Sequence, residues 1–217
     1  MEDCTLINEF KYKDFLLALI NGDRKQSYHF VNQYLKNDIS IKELYDKYIK
    51  ETLYRVGELW EHNKISVATE HLATAITESI LNSLFEKIVS ENRVGKTAIV
   101  ACVEHEYHQV GIKMIADIFE MNGWDTHFLG ANVPVNELID FAKDKKPDIF
   151  ALSLSIFFHL PIFEEMITKI TEAFPNIPII AGGQAFRHGG LEVIHKFPTV
   201  KYLENLDETE SFIKNIS

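Results

Sequence analysis

Thr97-Ala98-Ile99-Val100-Ala101-Cys102-Val103 is the first of five short apolar runs that set the fold class of this chain. The others are Asp125–Leu129, Ile149–Ser155, Ile177–Ala181 and Lys201–Leu203. Between and after them lie amphipathic stretches at about 109–122, 134–145, 161–174, 188–196 and 207–215, whose apolar residues recur at helical spacing. Strand and helix alternating at this rhythm imply right-handed crossovers and a parallel sheet covered by helices on both faces. Five strands point to the flavodoxin-like variety, in which ligands bind beyond the carboxyl ends of the strands. Residues 93–217 are thus expected to form an α/β domain.

Upstream of that run the sequence obeys another rule. All six prolines stand at position 134 or later, and only Gly22, Gly57 and Gly95 punctuate the first 96 residues. A proline-free, glycine-poor stretch with apolar residues three and four apart reads as helices, placed at about 11–21, 24–36, 41–62 and 67–90. Ser40 and Ser66 are the expected N-caps, each offering a side-chain oxygen to an orphan N–H of the following turn. Four helices with short connections make an antiparallel four-helix bundle over residues 1–92, with the break near Glu91–Lys96.

The 217 residues carry 46% hydrophobic side chains, enough for a buried core without cross-links. Net charge is −10; residues 1–96 contribute 13 − 15 = −2 and residues 97–217 contribute 9 − 17 = −8. So acidic a second half argues against gripping nucleic acid or an anionic membrane. Cys4 and Cys102 form no CxxC pair, which excludes a cysteine-rich zinc site and a disulfide framework. The acidic N-terminus and the lack of any run of about 18 apolar residues give an expected cytoplasmic address with no membrane span.

Ligand chemistry should then be read at the strand ends. Neither GxGxxG nor GxxxxGK[ST] follows the first run, which disfavours dinucleotides and P-loop nucleotidase activity. A phospho-acceptor domain would want an aspartate after the third strand, where Ser153-Leu154-Ser155 stands instead. On offer are Glu104-His105-Glu106-Tyr107-His108-Gln109-Val110-Gly111, that hydroxyl pair, and Gly182-Gly183. Each has an ordinary explanation: a solvated loop histidine, serines bonded to backbone, a glycine turn.

Taken in order, Glu106-x-His108-x-x-Gly111, Ser153-x-Ser155 and Gly182-Gly183 resemble the cobalamin-binding signature of methionine synthase and its relatives. The resemblance spans residues 97–217. It implies cobalamin bound with its own benzimidazole base off the cobalt and His108 in its place as the metal ligand. Glu106 would orient the imidazole, as acids do for metal-bound histidines. Gly111, Gly182 and Gly183 would admit the nucleotide tail, and Ser153 and Ser155 would hydrogen-bond it. Two departures from the family pattern are Glu106 for the commoner Asp and Ser155 for Thr.

In the bundle, Trp60 is followed by nine residues and then Glu70-His71. On one straight helix these would lie about 15 Å apart, but a break at Asn63–Ser66 lets them converge at one bundle end. This spacing is similar to the hallmark of the CarH-type cobalamin-dependent photoreceptors, in which the bundle covers the upper corrin face. That resemblance implies a pocket in which Trp60 packs near an adenosyl group, Glu70 hydrogen-bonds it, and Val67 and His71 complete the wall. Those regulators carry a histidine directly after the Trp to cap cobalt after photolysis; here that position is Glu61, and the candidate upper ligand is His62, one helical step away. They also begin with a DNA-binding domain, for which this chain offers no room ahead of its bundle. The expectation is a sensory module that is not itself an enzyme. It would hold adenosylcobalamin and act through a protein partner or self-association, without direct nucleic-acid binding. The alternatives are a corrinoid carrier of methyl groups, holding methylcobalamin or hydroxocobalamin, and a cobalamin storage or delivery module.

Overall fold

A computed structural model describes residues 12–37 and 39–216. It divides into two compact units, one ending at Lys87 and the other beginning at Ile88.

The first unit is helical. Its elements are α1 (helical over the described residues 12–20), α2 (Arg24–Lys36), α3 (Ile41–Glu43), a π-helical stretch (Leu44–Lys50), α4 (Glu51–Glu61) and α5 (Val67–Ser83). Two starts have the expected caps, and a third has an aspartate cap. Ser40 Oγ accepts the Glu43 N–H and Ser66 Oγ the Thr69 N–H, both at 3.1 Å, while Asp23 caps α2 through the Gln26 N–H at 2.9 Å. Phe15, Leu19, Tyr34, Leu44, Ile49, Ile76 and Ile80 fill the core, with Tyr34 stacked on Tyr48 at 4.3 Å between centroids.

The π-helical stretch was not foreseen, since 41–62 reads as one α-helix. Leu44, Tyr45, Tyr48 and Ile49 of this stretch are all buried and face the core, and a single π turn inside a longer helix leaves no mark in the apolar period. The expected helix over 67–90 also proves shorter, ending at Ser83 and followed by the single turn α6 (Phe85–Ile88).

The second unit is the expected α/β domain. The strands are β1 (Thr97–Cys102), β2 (Asp125–Gly130), β3 (Ile149–Ser153), β4 (Ile179–Gly182) and β5 (Val200–Tyr202), all parallel in the order β2-β1-β3-β4-β5. The crossover helices are α7 (Val110–Met121), α8 (Val135–Lys145), α9 (Leu160–Ala173) and the short α10 (Leu191–Ile194), and α11 (Leu206–Ile216) closes the domain. Helices on both faces explain why β1 and β3 read as nearly unbroken apolar runs: Ala98–Cys102 and Ile149–Leu152 are buried throughout. Where a helix over 188–196 was expected, a 3-10 turn (Gln184–His188) precedes α10. Gly189 and Gly190 stand between them at φ 122° and 91°, values no helix contains. β2 is an outer strand, and the carboxylate of Glu120 on α7 accepts its Thr126 N–H at 3.0 Å. Arg93 grips that carboxylate at 2.8 Å and the Trp124 carbonyl at 2.7 Å. Among the described residues no helix is long and apolar enough to cross a membrane.

Phe163 on α9 is fully buried and meets Phe186 edge to face at 5.3 Å. Phe163→Ala is expected to destabilise the α/β unit by about 3–5 kcal/mol, measured by chemical denaturation.

Candidate functional site

The carboxyl ends of the three central strands stand level. Cys102 is in register with Ser153, and Ser153 with Gly182. The chain leaves β1 with the Val103 N–H on the Ser153 carbonyl, and leaves β3 with the Leu154 N–H on the Gly182 carbonyl, both at 3.0 Å. The motif residues predicted from three separate segments are thereby brought to one rim.

At its centre is Glu106, whose side chain is completely buried. One oxygen, Oε2, accepts backbone N–H groups of Ser155 at 2.8 Å and Ile156 at 2.9 Å. The other accepts the N–H groups of Tyr107 at 3.0 Å and His108 at 3.1 Å, and the His108 Nδ1–H as well. Burial alone would push this acid up, but the bonds from the His108 ring and the Ile156, Ser155 and His108 amides outweigh it and hold the pKa down to about 2. A carboxylate ionised at all ordinary pH can only accept, so His108 Nδ1 carries the proton. The ring itself is 60% exposed. A ring fixed through one nitrogen and otherwise accessible is the arrangement a metal-ligating histidine requires.

Sequence reading gave Glu106 one task, orienting His108. It also ties the β1 loop to the β3 loop, through main-chain donors that carry no side-chain signal. Of the serine pair, Ser155 acts here through its backbone N–H, while Ser153 is buried at the strand end. A further neighbour is His159, whose Nδ1 lies 3.9 Å from Glu106 Oε2, buried and with no hydrogen-bond partner.

The glycines separate into two kinds. A Cβ on Gly183, at φ 114°, would stand 2.1 Å from the Leu154 carbonyl oxygen, and one on Gly182 would stand 3.1 Å from the Leu203 oxygen. Protein backbone already demands small residues there. A Cβ on Gly111 would meet nothing within 4 Å. Nothing within the protein calls for its absence, which fits a residue kept small for a ligand.

The five helical-unit candidates cluster at the α4–α5 corner. Trp60 stands in the last turn of α4, and Val67, Glu70 and His71 share one face of the first turns of α5 at i, i+3 and i+4. Trp60 and Val67 are 45% and 50% exposed. Glu70 accepts His71 Nδ1–H at 2.6 Å and the Thr74 hydroxyl at 2.9 Å. His62 donates Nδ1–H to the Glu58 carbonyl at 2.7 Å, which leaves Nε2 as the lone-pair nitrogen of the neutral ring. Among the described residues no group of three or more His, Cys, Asp or Glu side chains forms a metal site.

Two family models match the chain, each described as a B12 binding domain, over residues 96–199 and 12–84. The HTH-type transcriptional repressor CarH of Myxococcus xanthus is 30% identical over 66% of this chain and 48% of its own length. Dimethylamine corrinoid protein 1 of Methanosarcina acetivorans is 21% identical over 68% of this chain and 71% of its own. The match thus spans about half of the first relative. The solved Methanosarcina barkeri monomethylamine corrinoid protein superposes over 97% of this chain and 100% of its own with a TM-score of 0.81 at 14% identity, a likeness of fold.

Because Glu106 is held near 2, below its ordinary 4.5, it contributes stability that is complete above about pH 4.5 and lost as pH falls toward 2. Glu106→Gln should lower stability at pH 7 and flatten its decline over that acid window, measured by denaturant midpoints from pH 7 to pH 3.

Proposed function

With residues 12–84 and 96–199 being B12-binding domains, we propose that the chain is a cobalamin-binding sensory module that uses adenosylcobalamin and reports light through a partner protein or self-association. Its working place is the cytoplasm. The observation that carries the cobalt-binding part of this reading is the Glu106–His108 pair, with its fixed Nδ1–H and its accessible ring. His108 would ligate cobalt with Glu106 keeping the imidazole in place, Gly111 would leave room for the nucleotide tail, and Ser153, Ser155, Gly182 and Gly183 would line its path. Adenosylcobalamin supplies a light-sensitive cobalt–carbon bond.

The upper half rests on the α4–α5 corner. Trp60 and Val67 offer exposed apolar surface to an adenosyl group, and Glu70 offers a carboxylate to its hydroxyls, with His71 beside it. His62, whose Nδ1 bonds to the Glu58 carbonyl, would be the candidate second cobalt ligand. A second reading, a corrinoid carrier for methyl transfer, is supported by the match to 71% of the dimethylamine corrinoid protein's own length against 48% of CarH.

Three measurements separate these readings. His108→Ala should remove the base-off, histidine-on features from the spectrum of bound cobalamin while the circular dichroism stays native; an unchanged bound spectrum would refute His108 as ligand. Trp60→Ala and Glu70→Ala should reduce the preference for adenosylcobalamin over methylcobalamin by a few-fold to about tenfold, the worth of one hydrogen bond or less. Green light should change both the spectrum and the elution volume or partner binding of the adenosylcobalamin complex. A light-indifferent complex with wild-type-like preference in both variants favours the carrier.

A further inference from the structure

The loop that bears His108 is clasped on the side opposite β3 as well. Asn132, in the turn after β2, donates its backbone N–H to the Glu106 carbonyl at 2.8 Å, and its Oδ1 accepts the His105 N–H at 2.9 Å. Gln109 returns the contact, its Oε1 accepting the Ala131 N–H at 3.1 Å. The two residues that meet in this clasp are both left-handed, Asn132 at φ 50° and His105 at φ 67°. Non-glycine residues hold such conformations where the surroundings fix them, and Asn tolerates them best.

Glu106 fixes the ring of His108 and the β3 side of its loop. It leaves the backbone on the β2 side to be placed by something else. We infer that Asn132 is a positioning residue for His108: its paired bonds to residues 105 and 106 set where the imidazole stands before any ligand arrives. The inference rests on His108 being the metal ligand. Were the loop free on this side, binding would have to order it and would weaken accordingly.

Two variants divide the backbone role from the side-chain role. Asn132→Gly keeps the positive φ and the backbone N–H but removes Oδ1; Asn132→Asp keeps an acceptor of the same shape. In the ligand-free protein, hydrogen exchange of the amides of residues 105–109 should speed up about tenfold in Asn132→Gly and stay near wild type in Asn132→Asp. Titration with hydroxocobalamin should show about five- to tenfold weaker binding and a smaller histidine-on fraction in Asn132→Gly alone, with the melting temperature of both variants within a few degrees of wild type. Wild-type exchange and spectrum in Asn132→Gly would overturn the inference, as would equal impairment of both variants, or a lowered melting temperature with unchanged exchange. If the unsubstituted protein takes up no hydroxocobalamin with a histidine-on spectrum, the ligand reading fails, while the exchange measurement still decides whether the clasp exists.

Discussion

A single buried carboxylate organises the rim of the α/β unit. Glu106 receives four main-chain N–H groups and one imidazole N–H, drawn from the β1 loop and the β3 loop. Burying an ion is unfavourable unless nearly every lone pair is satisfied, and here the donors meet that requirement. The arrangement works both ways. The donors keep the acid ionised, and the ionised acid keeps two loops and one ring in place. A histidine on an exposed loop would otherwise rotate freely; held this way, it presents one nitrogen in one direction.

Strand positions and topology were legible because parallel strands covered on both faces are written as continuous apolar runs, as in Thr97–Cys102 and Ile149–Ser153. The caps at Ser40 and Ser66 were equally plain, since a hydroxyl before a helical pattern has few other uses. What escaped was the interruption of regular helix. The buried residues of the π-helical stretch, Leu44, Tyr45, Tyr48 and Ile49, would all suit one face of an α-helix, so the apolar pattern does not mark it. The interruption at Gly189-Gly190 was written in the sequence, and a glycine pair inside an expected helix was the signal to heed.

Within the site, chemistry-bearing side chains were readable and main-chain partners were not. Glu106 and His108 announce themselves by type and spacing. Ser155 and Ile156 contribute amides, which any residue but proline could supply, so nothing in their side chains marks the role. Asn132 sits in a turn where asparagine is commonplace, and His159 gains its place only because a 3-10 turn (Phe157–His159) folds it back toward Glu106. The glycines were read as one class, yet Gly182 and Gly183 are small for the protein's own backbone and Gly111 faces open space.

The bond between Glu120 and the Thr126 N–H has a bearing on life at high concentration. An outer strand with bare amides is a template onto which a strand of another molecule can dock. Here a carboxylate, itself pinned by Arg93, covers one of those amides on β2 and lays charge along the margin. A second chain pairing there would have to displace an ion-paired acid to gain one hydrogen bond. Strand addition at this point of the β2 edge is thereby disfavoured.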